Sequence, residues 1–112
     1  METTRQNKIG RLLQKELSEI FLVETRKMPG VMVSVSVVRV TSDLSIARAY
    51  LSIFPTERSA EILKSIQDTA KSIRHELAQR VRFQLRKMPE LHFYIDDSLD
   101  YAEKIEELLK NQ

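Results

Sequence analysis

A chain of 112 residues with a formal net charge of +2, 42% hydrophobic and 30% charged residues has the size and composition of one folded domain with a single core. It has no cysteine, which excludes disulfides, thiolate nucleophiles and thiolate metal sites, and only two glycines, Gly10 and Gly30, which excludes the glycine-rich phosphate loops. No apolar run approaches the roughly 18 residues of a membrane helix, and Met1-Glu2-Thr3-Thr4-Arg5 leads into an amphipathic pattern instead of an export segment, so the expected compartment is the cytoplasm and no membrane partner is expected.

Ile9, Leu12, Leu13, Leu17, Ile20 and Phe21 recur at helical spacing and predict an amphipathic first helix, capped at its start by Thr3 or Thr4. Arg5, Lys8, Arg11 and Lys15 follow the same steps and centre about 130° away from the apolar stripe, as a basic ridge. Met28-Pro29-Gly30 ends the helix. Val31 to Val40 alternates as a half-buried strand whose parity slips at Val37-Val38, where a bulge is expected. Thr41-Ser42-Asp43 is turn chemistry. Ala47, Ala49, Leu51 and Ile53 then alternate with Arg48, Tyr50, Ser52 and Phe54, so the two strands should pair as an antiparallel hairpin that Pro55 stops.

Ile62, Leu63, Ile66, Ala70, Ile73, Leu77 and Val81 predict a long helical stretch, with a bend or close packing at the small-residue patch Ala70-Lys71-Ser72. Pro89 disfavours helix at Met88, and Leu91, Phe93 and Ile95 read as a third strand. Asp96-Asp97-Ser98 is a helix start, and Tyr101, Ile105, Leu108 and Leu109 form a last apolar stripe. The order α-β-β-α(kinked)-β-α predicts a two-layer α+β domain in which helices cover one face of a three-stranded sheet. Residues 1–97 are expected to form the binding domain, with residues 98–112 a C-terminal helix packed on it or extending from it.

Enzyme chemistry has no visible carrier. His75 and His92 lack the spacing of a metal pair, and Asp96-Asp97 suits a helix cap, so neither catalysis nor a metal or cofactor is expected. The positive signal lies in charge. Residues 91–112 hold two lysines against six carboxylates, a net −4, which leaves +6 on the first ninety residues. Between Lys71 and Lys87, the cations Lys71, Arg74, Arg80, Arg82, Arg86 and Lys87 face one acid, Glu76. Arginine forks suit phosphate, and basic surfaces are the electrostatic footprint of nucleic-acid binding. Phe83, interleaved with these cations, is expected in the core. A competing reading is a small interaction adaptor that docks a partner protein through its acidic last helix and binds no RNA.

Two longer patterns are more specific. Val37-Val38-Arg39-Val40-Thr41-Ser42-Asp43-Leu44-Ser45-Ile46-Ala47-Arg48-Ala49-Tyr50-Leu51-Ser52 resembles the signature hairpin of the ribosome-binding factor A family, and Leu85-Arg86-Lys87-Met88-Pro89-Glu90-Leu91-His92-Phe93-Tyr94-Ile95-Asp96-Asp97-Ser98 is similar to that family's second signature. Arg5-Gln6-Asn7-Lys8-Ile9 and Ile73-Arg74 also fit, so the resemblance covers nearly the whole chain in order. It implies a type-II KH-like fold in which a kink between helices, usually Ala-x-Gly, replaces the glycine loop. Here Ala70-Lys71-Ser72 places serine where glycine is typical, so a shallower kink, or one held by a hydroxyl–backbone hydrogen bond, is expected.

The resemblance further implies a monomeric, non-catalytic assembly factor that binds the free 30S small ribosomal subunit late in maturation. Its partners would be 16S rRNA near the 5′-terminal helix and decoding region, and a GTPase that promotes release. The expected RNA contacts are the ridge Arg5, Lys8, Arg11 and Lys15, together with Lys71, Ser72, Arg74, Arg80, Arg82, Arg86 and Lys87.

Overall fold

The computed structural model describes residues 3–96. The elements are α1 (Thr4–Thr25), β1 (Met32–Val40), β2 (Ile46–Phe54), a single 3-10 turn (Thr56–Arg58), α2 (Ser59–Asp68), α3 (Ala70–Val81) and β3 (Glu90–Ile95). The expected helix over residues 98–112 lies outside the described residues. The sheet order is β1-β2-β3, with β1 antiparallel and β3 parallel to β2. No helix among the described residues is long and apolar enough to cross a membrane.

Thr3 caps α1 in a reciprocal box: its hydroxyl accepts from the Gln6 amide at 3.1 Å, and the Gln6 side chain accepts from the Thr3 amide at 2.8 Å. Two of the orphan donors at the helix start are thereby satisfied. Gln6 is itself buried and donates from Nε2 to the Val40 carbonyl at 2.8 Å. Two turns on, Gln14 Nε2 donates to the Val35 and Ser36 carbonyls at 3.2 and 3.0 Å. Between them stands Gly10, where a Cβ would meet the Val38 carbonyl oxygen at 2.6 Å. The stripe Gln6, Gly10, Gln14 thus runs along β1, the edge strand, and occupies carbonyls that would otherwise invite another chain.

The expected bulge is present. Val35 pairs with Leu51 and Val37 with Tyr50, which leaves Ser36 without an opposite residue. The extra residue explains the slip in parity: Val33 and Val35 are buried before it, Val38 and Val40 after it. In the hairpin turn Leu44 takes a left-handed conformation, φ 62°, that favours glycine. Asp43 supports it: its Oδ1 accepts from Thr41 Oγ1 at 2.7 Å, Ser45 Oγ at 2.7 Å and the Ser45 amide at 3.1 Å. These bonds, led by that of the Ser45 hydroxyl, hold the Asp43 carboxyl down at about 2.

The long helical stretch is broken one residue earlier than the small-residue patch predicts. Thr69, at φ −103° and ψ 11°, separates α2 from α3. Its hydroxyl donates to the Ser65 and Ile66 carbonyls at 3.1 and 3.2 Å, so the expected hydroxyl–backbone bond exists but belongs to Thr69. Ser72 lies inside the first turn of α3. Among the described non-glycine residues only Leu44 has a positive φ, so the break demands no glycine.

One face of the sheet carries the core. Leu13, Leu17, Ile20 and Phe21 of α1, Ile62 and Ile66 of α2, and Ile73, Leu77 and Val81 of α3 pack on the inward residues of the three strands. Phe21 and Phe93 meet edge to face at 6.0 Å between centroids, a favoured aromatic arrangement. Ala47 and Ala49, on the central strand, are small and fully buried. The opposite face holds Arg48, Phe54 and Tyr94 in the open, and the register pair Tyr50 and Tyr94 stacks there at 5.5 Å.

Candidate nucleic-acid interface

After Val81 the backbone does not unwind at once. Arg82 keeps helical dihedrals, φ −57° and ψ −27°. The amides of Gln84 and Leu85 both donate to the Val81 carbonyl, at 2.9 and 3.0 Å. Leu85 packs against the core and Pro89 is fully buried, so the loop into β3 is fixed at both ends while Arg86 and Lys87 between them are exposed.

The fold sets this loop beside the start of α1. Arg5, Lys8 and Ile9, the turn residues Asp43 and Leu44, and Leu85, Arg86, Lys87 and Pro89 line one cleft of about 660 Å³. Four cations from opposite ends of the chain therefore rim a floor of apolar side chains. Among the described residues Asp43 is the sole carboxylate in the lining, and its Oδ1 already accepts three hydrogen bonds. A phosphate backbone suits such a rim.

A second, shallower hollow of about 730 Å³ lies along α3, lined by Asp68, Thr69, Lys71, Ser72, Arg74, His75, Ala78 and Met88, with two cations against one carboxylate. Met88 faces this hollow while its neighbours Lys87 and Pro89 face the first, so one short loop separates the two. Lys71, Ser72 and Arg74 are thus brought together, with Arg86 and Lys87 on the other side of that loop. Arg11 and Lys15 remain exposed along α1 but line neither hollow.

One expected contact has protein partners of its own, and one sequence expectation needs correction. Arg80 has partners within the protein: its guanidinium meets Glu19 at 2.8 Å, Glu16 at 3.3 Å and Glu76 at 3.6 Å, and ties α3 to α1. The helical periodicity of Glu16 and Glu19 is visible in the sequence, but nothing local announces that their partner lies more than sixty residues away. Phe83 is not in the core: it is 85% exposed, because the turn after Val81 rotates it outward while Leu85 turns in. The Arg82 guanidinium lies 4.6 Å from its ring centroid. Sequence reasoning also misses Gln84 and His75 as lining residues; neither carries charge enough to stand out in a composition-based reading. Among the described residues no group of three or more His, Asp and Glu side chains could hold a metal.

The architecture is that of a small KH-like α+β domain with cations around two hollows. The chain belongs to the ribosome-binding factor A family, whose model matches residues 5–109. It is 53% identical to the ribosome-binding factor A of Christiangramia forsetii, covering 99% of this chain and 86% of the relative, and 56% identical to that of Flavobacterium psychrophilum, covering 97% and 85%. Among solved structures, the crystal structure of ribosome-binding factor A from Thermus thermophilus shares the fold at a TM-score of 0.64 and 24% identity, over 80% of this chain and 94% of that one. A homology model of the Thermus thermophilus factor, fitted into a cryo-EM map of a 30S complex, matches at a TM-score of 0.64 and 26% identity over 79% of this chain and 91% of that one.

Proposed function

We propose that this chain is a cytoplasmic ribosome assembly factor that binds the free small subunit late in its maturation and supports 16S rRNA processing without catalysing a reaction. The observation that carries the reading is the convergence of Arg5 and Lys8 with Arg86 and Lys87 around one cleft, in a chain of this family. Support for the small subunit as partner comes from the Thermus thermophilus relative fitted into a 30S complex. The contacts on this reading are Arg5, Lys8, Arg86 and Lys87 at the cleft, Lys71, Ser72 and Arg74 at the second hollow, Arg82 at the end of α3, and Arg11 and Lys15 as an outer extension of the ridge. Phosphate contacts of this kind position the protein, and the shape of the rRNA near its 5′-terminal helix would supply recognition. The factor would act as a monomer and leave with the help of a GTPase.

Sedimentation tests the reading. A lysate run on a sucrose gradient at low magnesium should place the protein with free small subunits and away from translating ribosomes, and ribonuclease should release it. A protein that stays at the top of the gradient in every condition would overturn the assignment.

A further inference from the structure

Phe83 has the highest exposure of the large apolar side chains among the described residues, at 85%. Its mount is rigid: Val81 is buried, its carbonyl holds the amides of Gln84 and Leu85, and Leu85 packs on the core. The ring is therefore held out in water by a fixed turn and does not hang from a loose one. The Arg82 guanidinium lies 4.6 Å from the ring centroid, and no other aromatic or cationic group is within stacking distance among the described residues. Among the described residues, one face of the ring is backed by a cation and the other is open.

We propose that Phe83, backed by Arg82, is a stacking platform for one unpaired RNA base. This rests on the RNA-binding reading above and adds to it a preference for unpaired over paired nucleotides. Every base has a π-face, and aromatic rings and guanidinium planes are the surfaces on which unpaired bases stack. Arg82 polarises the ring from behind and adds a cation–π contribution. The neighbours fit the same ligand. From Val81 to Pro89 the chain carries three cations and no carboxylate, and Gln84, Arg86 and Lys87 line the cleft immediately beyond the ring. A strand whose base rests on Phe83 would lay its backbone toward those cations. A duplex keeps its bases inside and offers the ring nothing but phosphate and sugar, so Phe83 separates unpaired RNA from helical RNA where the cations alone would not.

The chain has no tryptophan, so Phe83→Trp installs a single indole reporter at the platform. The full chain is titrated with single-stranded oligoadenylate and with an RNA duplex of the same length, over a range of salt. Phe83→Ala should weaken oligoadenylate binding about five- to a hundredfold, the loss expected for one base–aromatic stack, and leave both duplex binding and the salt slope unchanged. Phe83→Trp should keep wild-type affinity and lose indole emission as oligoadenylate binds. Unaltered oligoadenylate affinity in Phe83→Ala, an equal loss on both RNAs, or unquenched emission in Phe83→Trp would overturn the platform. If the wild-type chain binds neither RNA, the RNA reading falls and the platform with it; if it binds both and the substitutions change nothing, the platform alone falls.

Discussion

Gly10 of α1 and Val38 of β1 approach so closely that a Cβ on the glycine would stand 2.6 Å from the valine carbonyl oxygen. That oxygen is backbone, held in an edge strand whose other side is fixed by its ladder to β2, so it cannot swing away as a flexible side chain would. Gly10→Ala would ordinarily stabilise an exposed helix interior by about 1 kcal/mol. Here the overlap must be relieved by moving α1 off the sheet, at a cost of about 1–3 kcal/mol. The expected outcome is a net loss of stability and a thermal midpoint several degrees lower. A midpoint at or above that of the wild type would show that α1 has room to shift.

Arg80 and Arg86 are equivalent members of one cationic run in the sequence, and the fold separates them. Arg80→Ala removes a three-carboxylate clamp between α3 and α1 and leaves Glu16, 19% exposed, facing Glu19 and Glu76 without a cation. Partial exposure limits the effect to about 1 kcal/mol of stability. RNA affinity should fall little, and its salt slope should not change. Arg86→Ala together with Lys87→Ala should do the opposite: normal melting, weaker RNA binding, and a salt slope flatter by about 0.7 for each single-strand phosphate that is no longer neutralised. Filter binding across a salt series, paired with thermal denaturation, separates the two. A flattened slope for Arg80→Ala would return that residue to the interface.

Arg80 and Phe83 show how far the sequence is legible. The element order, the antiparallel hairpin and the bulge follow from periodicity and parity, because Val33, Val35, Val38 and Val40 record which side of the sheet is buried. The parallel placement of β3 beside β2 is not written in any local pattern, since the alternation of Leu91, Phe93 and Ile95 is the same for either direction. Individual cations are easily found, but charge carries no address. Arg5 and Lys8 meet Arg86 and Lys87 only because α1 and the loop before β3 flank the same hairpin turn. Sequence reasoning puts Phe83 inside because apolar residues usually are; the tight turn that brings it out depends on two amides sharing the Val81 carbonyl, which composition does not reveal.

Ser72 stands where the family resemblance leads one to expect glycine, and the structure makes a definite prediction about placing one there. The residue is helical, and the break is held by Thr69 instead. Ser72→Gly should therefore weaken α3 by roughly 0.5 kcal/mol without tightening RNA binding. Thr69→Val, which deletes both hydroxyl bonds but keeps the side-chain shape, should loosen the break more. A gain in RNA affinity for Ser72→Gly would mean that close backbone approach at this point matters after all.

The hairpin turn should respond to acid in a defined direction. The Asp43 carboxyl is lowered to about 2 by the Ser45 and Thr41 hydroxyls and the Ser45 amide. A carboxyl depressed in the folded state binds its proton more readily when unfolded, so its contribution is present above the ordinary carboxylate value of about 4 and is lost as pH falls from there through about 2. Titration followed by NMR of the carboxyl carbon should give a midpoint well below the ordinary carboxylate value of about 4. Ser45→Ala, which removes the leading cause, should move that midpoint upward. An Asp43 midpoint near 4 in the wild type would show that the three hydrogen bonds do not persist in solution.

Gln14 offers the sharpest test of how the sheet edge is protected. Its amide donates to the Val35 and Ser36 carbonyls at the bulge, where the strand has already lost a pairing partner, while Gln6 does the same for Val40 at the far end. Gln6 is buried, so Gln6→Ala leaves a buried carbonyl and the Thr3 amide without partners and should cost about 1–3 kcal/mol. Gln14 is only partly buried and water can take over its carbonyls, so Gln14→Ala should cost less than about 1 kcal/mol. Its larger effect should be on the edge itself. With the bulge carbonyls released, the strand becomes available for pairing with another chain. Concentration-dependent light scattering on gentle warming should rise for Gln14→Ala well before it does for the wild type. If the variant and the wild type aggregate alike and melt alike, the edge is protected by the bulge and the bulk of α1, and the glutamines serve only to satisfy hydrogen bonds.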